Sequence, residues 1–210
     1  MYIDSKCKIC RRAGQKLFLK GERCLGPKCA MIKKSYPPGK KGKRRMSPLS
    51  EYGKELREKQ KLKNWYGLRE DQFKKYVKEV LKKKGTEKVT GAELIKKLET
   101  RLDNVIFRLG FTSSRSHAKQ LVGHGYFLVN GKEVNIPSYQ VKKGDIITFR
   151  SSENKKKIFQ QIATAIKKYQ LPSWLKLDKE KLEGKIINYP TIEETIPPAE
   201  LLSIFEFYSR

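Results

Sequence analysis

A 210-residue chain with 48 Lys plus Arg against 22 Asp plus Glu carries a formal net charge of +26, and self-repulsion at that charge destabilises a compact state unless a polyanion offsets it. The length allows one large domain or two small ones with a real core. A mean hydropathy of −0.68, with no apolar run of roughly 18 residues, excludes a membrane-spanning helix and leaves nucleic acid as the expected partner. The opening residues, MYIDSKCKIC, hold neither an apolar signal core nor an Arg/Ser-rich presequence, so export and organelle import are unsupported and a cytoplasmic location is expected.

The charge falls along the chain: +19 over residues 1–90, +10 over 91–179 and −3 over 180–210. This gradient predicts a front embedded in RNA and a tail that faces water or protein. The front begins with Cys7, Cys10, Cys24 and Cys29, two short-spaced pairs separated by thirteen residues. Such pairs place four thiolates at tetrahedral corners and suit a structural zinc ion, with an iron–sulfur cluster as the alternative. Lys8, Arg11, Arg12, Lys20 and Lys28 surround them and favour the thiolate. Disulfides do not fit a chain without an export signal. The segment Lys33–Arg45 then places seven basic residues among two prolines and two glycines; it can bury no core and reads as an extended arm.

Helical periodicity starts near Ser50, and Ser50–Trp65 is expected to turn Leu56 and Trp65 inward before Gly67 stops it. Phe73, Tyr76, Val77, Val80 and Leu81 follow the i, i+3, i+4, i+7, i+8 pattern, which puts Lys74, Lys75, Lys78, Lys82 and Lys83 on the opposite face. Thr90 with Glu93 has the form of a capping box ahead of Leu94, Ile95, Leu98 and Leu102, in a helical run expected to reach Gly110. A short helix follows from about Arg115 to Val122, capped by Ser113 or Ser114. The period then changes to two. Tyr126–Val129 and Lys132–Val134 flank Asn130-Gly131, a dipeptide suited to a positive-φ hairpin turn, and Lys143-Gly144-Asp145 precedes a strand at Ile146–Phe149. Lys155–Tyr169 reads as helix again, with Ile158, Ile162 and Ile166 on one face. The tail ends in an apolar stretch, Leu201–Tyr208, that needs a core.

Residues 101–150 thus predict two helices on a small twisted sheet. Arg115, Lys119 and Lys132, with Ser116, His117, Gln120 and Asn130, provide phosphate and sugar contacts around one helix start and one turn, a surface suited to reading backbone shape. Tyr126, Phe127, Tyr169 and Trp174 are candidates for base stacking, although Phe127 alternates with Val129 as a core residue would. His117 and His124 have no carboxylate or nucleophile nearby in sequence, so general-base catalysis is not supported. The tripeptide Arg101-Leu102-Asp103 is similar to a catalytic tripeptide of some pseudouridine synthases. Here it lies inside a helical pattern with no catalytic domain after it, so a capping or salt-bridging Asp103 is expected.

The stretch RLDNVIFRLGFTSSRSHAKQLVGHGYFLVNGKEVNIPSYQVKKGDIITFR resembles the RNA-binding module named after small-subunit ribosomal protein four. LKGERCLGPKCA, SYPPGKKG, EYGKELREKQKLKNWYGLREDQFKKY and FEFYSR extend the resemblance to the bacterial form of that family over essentially the whole chain. The resemblance implies no small-molecule substrate and no enzyme, but a primary binder of small-subunit rRNA that docks on a helix junction of the 5′ domain and helps to start assembly. It also implies a place beside ribosomal proteins three and five, where mRNA enters, with Arg44 and Arg45 at the family's basic positions, and hence a part in translational accuracy. Some relatives repress their own mRNA, which makes a translational repressor the alternative function, with an accessory to RNA modification as another.

The expected fold class is α+β: a helical first domain with an N-terminal metal-binding segment, plus an inserted small α/β RNA-binding module with a twisted antiparallel sheet. The expected division is a metal segment and arm at 1–45, a helical domain from 46–90 with 180–210, and the inserted module at 91–179. The expected RNA-binding set is Lys40, Lys41, Lys43, Arg44, Arg45, Arg57, Lys59, Lys61, Arg69, Lys74, Lys75, Arg115, Ser116, His117, Lys119, Gln120, Asn130 and Lys132.

Overall fold

A computed structural model describes residues 5–39, 48–83, 87–150, 166, 169–179 and 181–209. The chain divides into two units, one of Met1–Leu94 with Ile196–Arg210 and one of Ile95–Thr195.

The first unit begins with three short helices: α1 (Lys6–Ala13), α2 (Glu22–Leu25) and α3 (Ala30–Lys33). In α4 (Glu51–Trp65), Ser50 is the cap, its hydroxyl accepting from the Gly53 N–H at 3.2 Å. The buried stripe of α4 is Glu55, Lys59 and Leu62, whereas Leu56 and Trp65, expected inward, are half-buried. Lys59 is accommodated inward by the Glu70 carboxylate and by the Phe207 and Tyr208 rings. Next, α5 (Glu70–Leu81) buries Phe73, Val77 and Val80 and exposes Lys74, Lys75 and Lys78, an amphipathic division set by the 3.6-residue period. The C-terminal helix Leu201–Ser209 packs on α4 and α5. It buries Ile204 and Phe205 and sets Phe207 5.4 Å from Tyr52 and Tyr208 6.2 Å from Phe73, ring centre to ring centre.

α6 (Glu87–Glu99) starts three residues before Thr90, so that residue lies inside the helix and is buried, not at a cap. The helical run expected to reach Gly110 is also broken. Arg101 is extended (φ −66°, ψ 136°) and bridges Gln140, and α7 (Leu102–Arg108) starts afresh. The break satisfies backbone groups elsewhere, since Leu102 N–H donates to the Tyr139 carbonyl and Val141 N–H to that of Thr100, both at 2.9 Å. Beyond the α7 cap residue Leu109, Gly110 turns the chain at φ 80°, and a Cβ there would come within 2.7 Å of the Tyr169 ring. α8 (Arg115–Gly123) follows, with Ser114 as its cap.

The sheet of the second unit is antiparallel throughout, with strand order β2-β1-β3-β5-β4. β1 (Phe127–Val129) and β2 (Lys132–Glu133) close the expected hairpin, with Val129 opposite Lys132 and positive φ at Asn130 (51°) and Gly131 (78°). β3 (Ile146–Phe149) sets Phe149 opposite Phe127 and Ile147 opposite Val129 on the inner face. The sequence reading missed β4 (Leu175–Asp178) and β5 (Glu183–Ile186), a second hairpin joined to β3. Residues 183–195 therefore belong with the sheet unit, and the chain returns to the helical unit at Ile196, not at 180. The core beneath the sheet includes Leu102, Val105, Ile106, Leu109, Leu121 and Val122 from the helices, with Trp174 and Leu182. The helix expected at Lys155–Tyr169 lies mostly outside the described residues; Ile166 within it is helical and buried.

Candidate nucleic-acid interface

The most regular cationic surface is the outer face of α5. Lys74, Lys75, Lys78 and Lys82 are exposed there and line one shallow cleft with Asp71 and Glu79. Arg69, also exposed, sits at the N-terminal boundary of the same helix. Four ammonium groups on one rigid face form a surface for a phosphate backbone.

Other candidates have internal roles. Lys59, with its side chain 7 % exposed, donates to Glu70 at 2.7 Å and lies 4.4 Å from the centre of the Phe207 ring. Lys63 (2.9 Å) and the Tyr208 hydroxyl (2.8 Å) donate to the same carboxylate. Burial opposes ionisation of Glu70, but these three hydrogen bonds outweigh it and hold the pKa down at about 2. The Tyr208 hydroxyl is pushed up, by burial first and then by Glu70. Lys61 pairs with Glu58 at 2.6 Å. Half-buried Arg57 reaches the Arg12 carbonyl at 3.5 Å and lines a groove with Ile9, Leu56 and Lys54.

In the second unit, Arg115 is turned inward. Its guanidinium donates to Asn104 Oδ1 at 2.7 Å, lies 4.6 Å from the Phe107 ring centre and stands 3.9 Å from buried Glu99. Glu99 also accepts from Asn104 and Arg108. Asn130 is exposed at the turn, and its side-chain amide donates to Asp145 while its oxygen accepts from the Ile146 N–H, both at 2.9 Å. Lys59, Lys61, Arg115 and Asn130 thus each have a partner within the fold. His117, Gln120 and Lys132 remain exposed, and Ser116 and Lys119 are half-buried on α8. Of the stacking candidates, Phe127 and Trp174 are core, Tyr169 packs over Gly110, and half-buried Tyr126 lies 5.9 Å from Phe149. Asp103 takes the salt-bridging role: its carboxylate accepts two hydrogen bonds from buried Arg101, at 3.2 and 3.0 Å. Burial raises its pKa, opposed by the Arg101 charge. Lys40, Lys41, Lys43, Arg44 and Arg45 lie outside the described residues.

The sequence reading missed Lys176 and Lys185, which are exposed and face each other across β4 and β5. Their alternation with Leu175, Leu177 and Ile186 was the available signal.

Cys7, Cys10, Cys24 and Cys29 are free thiols lining one small cavity between α1, α2 and α3, and the Lys20 N–H points at Cys24 Sγ, 3.4 Å away. Burial raises the Cys10 pKa. Among the described residues no three His, Cys, Asp or Glu side chains are set closely enough to form a metal-binding group; the thiols face one space without closing on it.

Residues 1–99 match the family described as "Ribosomal protein S4/S9 N-terminal domain", and residues 100–147 match the "S4 domain". The chain belongs to the ribosomal protein S4 family. Proteins named "Small ribosomal subunit protein uS4" from Natranaerobius thermophilus and Halothermothrix orenii are 48% and 49% identical to it over 209 residues, and the alignments cover 100% of this chain and 99% of each relative. The protein of that name from Thermodesulfovibrio yellowstonii is 47% identical over the same shares. The S4-domain match ends at Ile147, inside β3, so the second hairpin lies beyond it.

Proposed function

We propose that this chain is a primary rRNA-binding protein of the small ribosomal subunit that works by position, its Lys and Arg side chains holding together rRNA helices that otherwise repel each other. As an S4-family protein it is a structural constituent of the small subunit, located in the ribosome in the cytoplasm, and not an enzyme. The observation that carries the RNA reading is the α5 face, where Lys74, Lys75, Lys78 and Lys82 stand opposite Phe73, Val77 and Val80. In this reading Arg69, His117, Gln120 and Lys132 add contacts from other exposed positions, and the arm residues Lys40, Lys41, Lys43, Arg44 and Arg45 add charge. The finer role follows the resemblance: docking on the 5′ domain at the start of assembly, neighbours in ribosomal proteins three and five, and a contribution to accuracy where mRNA enters, through Arg44 and Arg45.

The spacing of Cys7, Cys10, Cys24 and Cys29 and the cavity they share support a structural zinc ion as part of this reading. The thiols converge on one cavity, and four protein ligands leave no open position for catalysis. When bound, the metal supplies a cross-link that small helices with so many charges lack. Metal analysis of the purified protein tests this: one zinc per chain is expected, whereas visible absorbance that bleaches in air indicates iron–sulfur.

The test of the main reading is binding to a small-subunit rRNA transcript across a salt series, together with co-sedimentation with small subunits. Affinity is expected to fall steeply with salt as neutralised phosphates release counterions. A flat salt response, or failure to co-sediment, contradicts the reading.

A further inference from the structure

The loop joining α1 to α2 holds three residues in the left-handed backbone region: Gly14 (φ 71°), Phe18 (φ 51°) and Gly21 (φ 58°). Two are glycines, which adopt that region freely. The third is an aromatic residue, for which it is uncommon and strained. On either side of Phe18 the chain is anchored inward: Leu17 is 1% exposed, and Leu19 lines the cysteine cavity. Phe18 itself is 48% exposed. Lys16 and exposed Lys20 flank it, and between residues 5 and 39 ten basic residues face a single acid, Glu22.

We propose that Phe18 is a stacking platform for one unpaired RNA base, with the adjoining phosphates neutralised by Lys16 and Lys20. The proposal rests on the reading of the chain as an rRNA-binding protein and gives it a contact of a different kind. A duplex hides the faces of its bases, so an exposed ring flanked by cations suits a looped-out or single-stranded nucleotide. A surface phenylalanine alone needs no explanation. This one is held outward by a backbone conformation that glycine adopts more easily, between two anchored leucines that keep the ring from turning in. The loop retains the ring at the cost of strain, which points to use.

The experiment compares the full-length protein with its Phe18→Leu, Phe18→Gly and Phe18→Tyr variants in binding to a small-subunit rRNA transcript at several salt concentrations. Phe18→Leu keeps the apolar bulk and Phe18→Gly fits the backbone, so both are expected to retain the unfolding midpoint while binding about tenfold more weakly, equivalent to about 1.4 kcal/mol. Phe18→Tyr keeps a ring and is expected to bind within about twofold of wild type, as a stacking contact requires. The slope of log affinity against log salt stays unchanged in all three, because stacking releases no counterions. A Phe18→Trp variant gives a direct signal: its emission is expected to be quenched by rRNA beyond any change from native Trp65 and Trp174. Wild-type affinity in both Phe18→Leu and Phe18→Gly, or unquenched Phe18→Trp at saturating rRNA, overturns the platform while leaving the rRNA reading intact. Absence of wild-type binding overturns both.

Discussion

Lys59 and Glu70 illustrate how residue type alone misleads in a basic chain. A lysine at net charge +26 reads as a phosphate contact, yet this one sits between a carboxylate and two C-terminal rings. The pKa of Glu70 is about 2 in the folded chain and about 4.3 when unfolded. Its stabilising contribution is therefore present above about pH 4.3 and lost as the pH falls towards 2. In thermal unfolding, Glu70→Gln is expected to be less stable than wild type at neutral pH, with the gap closing between about pH 4.5 and 2; a gap independent of pH contradicts the assignment. Asp103 makes the second residue-scale case. Asp103→Ala leaves the Arg101 guanidinium buried, at 1% exposure, without its bidentate carboxylate, and denaturant unfolding is expected to show a loss of about 3 kcal/mol or more. The sequence left a cap or an ion pair open for Asp103, and the structure shows the ion pair. Sequence alone could not show that Arg115 turns inward to Asn104 and Glu99, because a guanidinium serves equally as an external donor and as an internal clamp.

At the scale of elements, α5 was legible almost residue by residue, because its apolar positions keep helical spacing and no charge interrupts them. The first hairpin was legible from Asn130-Gly131. The inner face of α4 was not, since Glu55 and Lys59 hold buried positions that a hydrophobicity pattern assigns to solvent. β4 and β5 were missed because each has four residues, carries exposed lysine and, in β5, includes Gly184. That glycine is a packing requirement: a Cβ there would lie 2.5 Å from fully buried Leu109. Gly184→Ala is expected to cost about 1–3 kcal/mol by overpacking, read as a lower unfolding midpoint. The α5 face carries its own prediction. Changing Lys74, Lys75 and Lys78 to glutamine should leave stability nearly untouched and reduce the salt slope of rRNA binding by about 0.9 for each phosphate that is no longer neutralised. An unchanged slope removes α5 from the interface.

For the whole molecule, the charge that drives binding also works against folding. Free in solution, the chain should become more stable as salt rises from about 10 to 150 mM, because screening relieves self-repulsion, while its affinity for rRNA falls over the same range. Parallel thermal-melt and binding series test the two opposite slopes in one protein. The C-terminal helix adds a constraint in time. The Tyr208 hydroxyl closes on Glu70, and the Glu200 N–H on Glu58, across 138 and 142 residues of chain. During synthesis at about 5–20 residues per second, α4 and α5 wait roughly 6–30 s for the helix that covers them. A truncated nascent chain never receives it, and leaves the apolar side of those helices open to chaperones and proteases. The closing of α4 and α5 is thus timed by a helix 138 residues further along the chain than the carboxylate it meets.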